Sequence, residues 1–84
     1  MKIYFNEKYF KEYKRTKNNV HEPFPVTYQT FSGDDGKLYF QLDTYPKNIN
    51  IDVTGFLEQS SSKLQFDKET AIKLIDIIKK ELLI

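Results

Sequence analysis

The C-terminal part of the chain carries apolar residues with the period of an α-helix. Ala71, Leu74, Ile75, Ile78 and Leu82 form one continuous stripe, and the charged residues Glu69, Lys73, Asp76 and Lys80 line the opposite side. Asp67 precedes the stripe, where its carboxylate can accept from the free amides of a first turn. The pattern predicts a helix from Lys68 to Leu83 whose stripe packs against the rest of the protein.

In the middle of the chain apolar and polar residues alternate, which is typical of strands with one buried face. The alternation predicts strands over Val26–Ser32, Lys37–Tyr45 and Asn48–Thr54, and a short strand over Lys63–Phe66 that leads into the helix. The glycines and aspartates of residues 33–36 predict a hairpin turn that places Ser32 opposite Lys37. Together the four strands predict an antiparallel meander.

The N-terminal segment is basic and aromatic. Ile3-Tyr4-Phe5 fits an edge strand or an extended start, and Asn6 can cap a short helix from Glu7 to Lys17. We therefore predict a single α+β domain: a four-stranded antiparallel β-meander, a C-terminal amphipathic helix on one face, and a short N-terminal helical arm. The arm spans residues 1–20, the sheet 24–66 and the helix 67–84.

Composition excludes several classes of site. The 84 residues include no Cys, no Trp and one His, so a disulfide framework, a zinc-thiolate site and a cysteine nucleophile are excluded. No apolar run approaches the roughly 18–20 residues that span a bilayer, and the N-terminus lacks the pattern of a signal peptide. We expect a cytoplasmic protein. The excess of Lys over Arg, with frequent Asn, Ile, Phe and Tyr, indicates an AT-rich bacterial or phage genome.

The residues that usually carry catalysis occur without a supporting motif. His21 lies in a connector rich in Asn and Pro, and Glu12-Tyr13-Lys14 matches only half of a nuclease-type metal site. Asp34-Asp35-Gly36 resembles part of a calcium loop, but a hairpin turn explains it. We therefore expect no catalytic residue, no metal and no cofactor.

The tyrosines are the strongest candidates for a binding surface. With Ser32 opposite Lys37, the side chains of Phe31, Leu38, Phe40 and Leu42 share the helix-covered face. Tyr28, Tyr39 and Tyr45 then lie together on the opposite face. Two interpretations are open: the aromatic residues of the arm (Phe5, Tyr9, Phe10 and Tyr13) dock on the tyrosines, or the tyrosines form an exposed platform for a protein or for stacked bases.

Charge is unevenly distributed although the formal net charge is only +1. Residues 1–17 hold six basic and two acidic side chains, a balance of +4, and residues 18–62 hold two basic and six acidic ones, a balance of −4. The arm can lie against its own acidic sheet or meet an acidic partner.

The lead hypothesis is a small non-catalytic accessory protein that binds another protein, and a homodimer formed through a sheet edge or the tyrosine face is compatible with it. The expected contact residues are Tyr28, Tyr39, Tyr45, Lys8, Lys11, Lys14 and Arg15. The alternative is a single-stranded nucleic-acid-binding protein whose tyrosines stack on bases while the lysines meet phosphates.

One resemblance bears on the alternative. Four strands followed by a helix, with Lys63, Phe66, Asp67, Lys68 and Glu69 in a Lys-x-x-Phe-Asp-Lys-Glu run, are similar to the coactivator-like fold that binds single-stranded DNA on a curved sheet. The resemblance covers about residues 26–83 and concerns topology. Residues 26–54 contain only Lys37 and Lys47 as basic side chains, whereas that mode of binding implies a basic sheet.

Overall fold

The computed structural model describes residues 1–46 and 60–84. It contains strands β1 (Lys2–Phe5), β2 (Val26–Ser32), β3 (Leu38–Thr44) and β4 (Ser62–Asp67), a 3-10 turn (Glu7–Tyr9) and helix α1 (Lys68–Leu82). The strands form one sheet in the order β1-β4-β3-β2. The α+β class is confirmed, and the predicted strand over Asn48–Thr54 lies outside the described residues.

The prediction of a purely antiparallel meander is wrong, because the sheet is mixed. β2 with β3 and β3 with β4 are antiparallel, but β1 lies beside β4 and runs parallel to it. The backbone N–H of Lys63 donates to the carbonyl of Met1 at 2.8 Å, and the N-terminal ammonium donates to the carbonyl of Ser61 at 3.0 Å. This pairing joins distant parts of the chain, so local alternation carries no signal for it.

The hairpin between β2 and β3 has a three-residue loop. The N–H of Gly33 donates to the carbonyl of Lys37 at 2.9 Å, and the N–H of Gly36 donates to the carbonyl of Gly33 at 3.0 Å. Gly36 has φ +79°, the left-handed conformation that such loops require at their last residue. Ser32 therefore pairs with Leu38 and not with Lys37. The shift of one residue turns every side chain of β2 to the other face of the sheet.

The two faces of the sheet differ in chemistry. The apolar face carries Ile3, Phe5, Tyr28, Phe40, Leu42, Leu64 and Phe66, and the polar face carries Tyr4, Phe31, Tyr39, Gln41, Asp43 and Gln65. Phe66 is buried at the centre of the apolar face, with ring centroids 5.3 Å from Phe40 and 5.7 Å from Phe5. Phe31 was expected on this face and lies on the polar one, because of the hairpin register.

Helix α1 begins where its capping residue predicts. The Asp67 carboxylate accepts from the N–H of Thr70 at 2.9 Å, and Leu83 ends the helix in the left-handed conformation. The helix packs against β3, β4 and the 3-10 turn. Phe10 lines a cavity together with Ile77 of α1 and also contacts Phe5, with ring centroids 4.8 Å apart.

The rotation of α1 about its axis differs from the prediction. Thr70 is fully buried, and its hydroxyl oxygen accepts from the N–H of Glu7 at 3.2 Å. Leu74 and Ile77 follow Thr70 on the partly buried side. Ile75, Ile78 and Leu82, which belong to the predicted core stripe, remain 53%, 40% and 69% exposed. The hydrogen bond to the N-terminal turn sets which side of the helix faces inward.

The predicted N-terminal helix from Glu7 to Lys17 is not formed. Asn6 does cap a turn, since its side-chain oxygen accepts from the N–H of Lys8 at 2.9 Å. The turn ends at Tyr9, and Phe10 has the extended angles φ −104° and ψ 113° that bring its ring onto Phe5. Residues 10–25 contain neither helix nor strand. The cap at Asn6 thus begins one short turn, and the chain is extended at Phe10.

Candidate interaction surfaces

The structure separates the three tyrosines that were expected to share a face. Tyr28 lies on the apolar face, whereas Tyr39 lies on the polar face. Tyr45 is only 2% exposed, and its hydroxyl lies 3.0 Å from the hydroxyl of Thr27. The N–H of Tyr45 also donates to the carbonyl of Pro25 at 3.1 Å, which ties it to the start of β2. Tyr45 was predicted as a contact residue, but the structure places this side chain in the packed interior.

Tyr39 is engaged within the protein. Its hydroxyl donates to the Asp35 carboxylate at 2.6 Å, and its ring stacks on Phe31 at a centroid distance of 5.7 Å. The hydrogen bond to the charged carboxylate raises the pKa of Tyr39 to about 12, because ionising the phenol would remove the donor and place two negative charges side by side. Tyr39 therefore stabilises the hairpin turn through its hydrogen bond to Asp35.

A second tyrosine, Tyr4 of β1, completes an acidic and aromatic corner at this end of the polar face. Its ring lies 6.1 Å from that of Tyr39 in an edge-to-face arrangement. Partial burial, followed by the negative charge of Asp67 and a hydrogen bond to it, raises the pKa of Tyr4. The backbone N–H and hydroxyl of Thr70 lower the pKa of Asp67. Sequence reasoning missed Tyr4 because its position follows from the parallel pairing of β1 with β4.

Polar side chains form a closed network along the middle of the same face. The Gln65 amide donates to the Gln41 carbonyl oxygen at 2.7 Å, and the Gln41 amide donates to the Asp43 carboxylate at 2.6 Å. Gln41 and Asp43 are buried. Since these donors and acceptors bond each other, the network stabilises the pairing of β3 with β4.

Tyr28 is the most exposed of the three predicted tyrosines. It is 76% exposed, and one side of its ring stacks on Phe40 at a centroid distance of 5.7 Å. It lies on β2, the outermost of the described strands on this side of the sheet, whereas α1 packs against β3 and β4.

The basic residues of the arm that were predicted as contacts are exposed. Lys8, Lys11, Lys14 and Arg15 are all at the surface. Tyr9 and Tyr13 stand among them at 86% and 80% exposure, and the Arg15 guanidinium lies 5.4 Å from the centre of the Tyr13 ring. One of the two interpretations was docking of the arm on the tyrosine face. Among the described residues, Phe5 and Phe10 of the arm pack together on the apolar face instead, and Tyr9 and Tyr13 are exposed.

A further exposed surface lies on α1, and we refer to Ile75, Ile78 and Leu82 as the α1 stripe. Ile77 lines a cavity together with residues 10–12, and at about 3.6 residues per turn the α1 stripe projects from another side of the helix. Three large aliphatic side chains are thus exposed on one side of a regular helix. This surface could not be separated from the core by periodicity alone, because both kinds of position share one amphipathic pattern.

The residues considered for catalysis do not assemble into a site. His21 is exposed, and Glu12 and Lys14 lie in the irregular segment and not on a strand. In the described ranges, 1–46 and 60–84, no group of three or more His, Cys, Asp or Glu side chains could hold a metal ion. Among the same residues, no helix has the length and apolar character needed to cross a membrane.

No protein-family model, curated protein or solved structure matches the chain. The resemblance to the coactivator-like fold therefore has no support from solved structures. The surfaces of the molecule itself are the basis for a proposal about function.

Proposed function

We propose that this chain is a small non-catalytic accessory protein, of bacterial or phage type and cytoplasmic, that acts by binding another protein. The observation that carries the proposal is the exposure of the α1 stripe at 53%, 40% and 69% for its three members. Single exposed apolar residues are common on protein surfaces, but three of them in register on one helix are typical of an interaction site.

The spacing of the stripe indicates what kind of partner fits it. Together with Ala71, the stripe has spacings of four, three and four residues, the seam that packs against another helix in a coiled-coil-like pair. Lys68 and Lys79 are exposed on the helix and flank the seam on one side at this periodicity. The partner that fits is an amphipathic helix of another protein with acidic residues beside its apolar seam.

Site-specific photo-crosslinking tests this proposal. A photoreactive phenylalanine analogue replaces Ile78 in one variant and Lys73, an exposed residue away from the stripe, in a matched control. In host cells we expect position 78 to yield one discrete crosslinked protein and position 73 to yield none. The contacting segment, mapped by mass spectrometry, should be an acidic amphipathic helix. Equal crosslinking from both positions, or none from position 78, would contradict the proposal.

Single-stranded nucleic-acid binding is the second candidate, and one observation favours it. Tyr9 and Tyr13 are exposed between Lys8, Lys11, Lys14 and Arg15. Rings that stack on bases and cations that meet phosphates are the combination used by sequence-independent binders of single strands. In this alternative the arm is the binding element, and Tyr28 adds a ring on the sheet.

A salt titration separates the two functions. If the arm binds single strands, affinity for an oligonucleotide should fall steeply as salt increases, because the bound lysines release counterions. Replacing both Tyr9 and Tyr13 with Ala should weaken binding of the oligonucleotide. Tyr45→Ala is not a suitable control, because Tyr45 is buried against Thr27 and its loss would affect folding. Absence of binding at about 50 mM salt would exclude this function.

A further inference from the structure

Among the described strands, β2 lies at one edge of the sheet, and its outward backbone groups can be identified. The N–H of Gly33 bonds Lys37 of the facing strand, and the carbonyl of Pro25 accepts from Tyr45. Bonded and non-bonded positions alternate along an antiparallel pair, so residues 25, 27, 29, 31 and 33 face β3. The N–H and C=O groups of Val26, Tyr28, Thr30 and Ser32 therefore point away from the sheet, and all four residues are exposed.

This edge lacks the features that usually prevent edges from pairing. Residues 26–32 contain no charged side chain and no Pro, and their pairing with β3 runs without a bulge over seven residue pairs. The missing N–H of Pro25 is on the side of β3, so it leaves the outer edge intact. The opposite edge is different: β1 has only four residues and carries Lys2 and the N-terminal ammonium.

We propose that β2 pairs with β2 of a second copy of this chain, in antiparallel orientation about a twofold axis at Gln29. The inference is independent of the α1 stripe. In this register Val26 lies opposite Ser32 of the copy and Tyr28 opposite Thr30, so every outward N–H and C=O finds a partner. Because residues 26–32 are uncharged, the symmetric pairing brings no like charges together. The two sheets become one continuous sheet through their β2 strands.

The strand that pairs with the β2 edge belongs to a second copy of the chain, because the sequence of β2 is complementary to itself. A twofold axis at Gln29 pairs the two Gln29 amides, and it places the small hydroxyl side chains of Thr30 and Ser32 opposite the larger Tyr28 and Val26. A hydrophobic peptide from another protein would have its own side-chain pattern and would not require this centre of symmetry. The register is therefore the feature that an experiment should test.

Because the natural chain contains no Cys, single-cysteine variants report on the register without interference. Around the axis the two Gln29 residues form a non-hydrogen-bonded pair, with Cα atoms about 4.5 Å apart, which suits a disulfide. The matched control is Ser32→Cys, equally exposed on the same strand, whose copies would be about 20 Å apart. We expect Gln29→Cys to form a covalent dimer under mild oxidation and Ser32→Cys to stay reduced.

Sedimentation velocity of the full chain tests the edge itself. The natural chain should sediment as a concentration-dependent dimer, and Thr30→Pro should weaken dimerisation about tenfold or more, because two symmetric hydrogen bonds lose their donors. Thr30 faces outward, so this change removes no bond to β3. Thr30→Val, which keeps the N–H, is the control for the side chain, and Ile78→Lys in the α1 stripe should leave the dimer unchanged.

Each alternative result overturns the proposal. A chain that is monomeric at about 0.2 mM, far above the affinity range of ordinary specific interfaces, would show that the edge does not pair with itself. A dimer that resists Thr30→Pro in a variant with an unchanged circular dichroism spectrum would lie elsewhere on the surface. Disulfide formation at position 32 as fast as at position 29 would exclude the register. A dimer lost in Ile78→Lys would assign self-association to α1.

Discussion

The Tyr39 hydroxyl and the Asp35 carboxylate show how one contact determines the properties of both residues. The bond of 2.6 Å raises the pKa of Tyr39 to about 12, and the same bond is the main cause that lowers the pKa of Asp35. Asp35 also accepts from the N–H of Lys37 at 3.0 Å, so its side chain is oriented by the turn. The stability that this pair contributes is present while the Asp35 carboxyl is ionised and the Tyr39 phenol is protonated. It is lost as pH rises from 10 toward 12, and also as pH falls below the ordinary range of an aspartate.

We predict that Asp35→Asn lowers the pKa of Tyr39 toward the ordinary value of 10.0. An amide can still accept the hydrogen bond, but it removes the negative charge that opposes ionisation of the phenol. The measurement is a spectrophotometric titration of tyrosinate, with Tyr39→Phe used to assign the signal. Asp34→Asn in the same turn is the control and should leave the titration of Tyr39 unchanged. A Tyr39 pKa that stays near 12 in Asp35→Asn would contradict this assignment.

At the scale of elements, the start of α1 was predicted correctly, whereas only the position of the hairpin was. The cap at Asp67 and the helix it starts follow from residues adjacent in sequence, and the structure places the helix at Lys68–Leu82. The hairpin loop was located correctly, but its register was wrong by one residue. Gly36 takes the left-handed conformation, so the loop contains three residues and Gly33 pairs with Lys37. Turn residues in a sequence therefore indicate where a hairpin loop lies more readily than the register of the two strands that it joins.

Thr70 joins three elements, and its hydroxyl is the test of how α1 is oriented. We predict that Thr70→Val destabilises the fold by about 1–3 kcal/mol, because it leaves the N–H of Glu7 without its acceptor in a partly buried place. Thr70→Ser retains the hydroxyl and should recover most of that loss. Chemical denaturation measures the difference. The pKa of Asp67 should also rise in Thr70→Val, since the Thr70 hydroxyl is among the causes that lower it.

At the scale of the whole molecule, a small apolar core coexists with a large exposed apolar surface. Among the described residues, Phe66 and Tyr45 are the buried hydrophobic side chains, whereas the α1 stripe and Tyr28 are exposed. Burial of each large aliphatic side chain contributes about 1.5–3 kcal/mol, so leaving the stripe in water forgoes stability that a partner could supply. The exposed β2 edge adds a second surface on which association could compensate for the small core.

Neighbouring positions of α1 distinguish its inward and outward sides. We predict that Leu74→Ala costs about 1–2 kcal/mol of unfolding free energy, because this side chain is partly buried. Ile75→Ala should change stability by less than about 0.5 kcal/mol, because Ile75 is exposed and Ala favours helix. Equilibrium denaturation of the monomeric chain measures both. The reverse order of the two losses would mean that the α1 stripe, and not the Thr70 side, packs on the sheet.

The sequence by itself determined the α+β class, the spans of β2, β3 and β4, and the capped helix at the C-terminus. Each of these depends on periodicity or capping within a few residues, which the linear order of the chain displays directly. Tertiary structure alone decided the parallel pairing of β1 with β4 and the hydrogen bond from Glu7 to Thr70, which join residues about 60 positions apart. It also decided that Tyr28 lies on the face opposite to Tyr39, because the conformation of Gly36 sets the register of β2, and that Tyr45 is buried. Candidate contact residues depend on faces and exposure, and those depend on long-range pairing that no local pattern encodes.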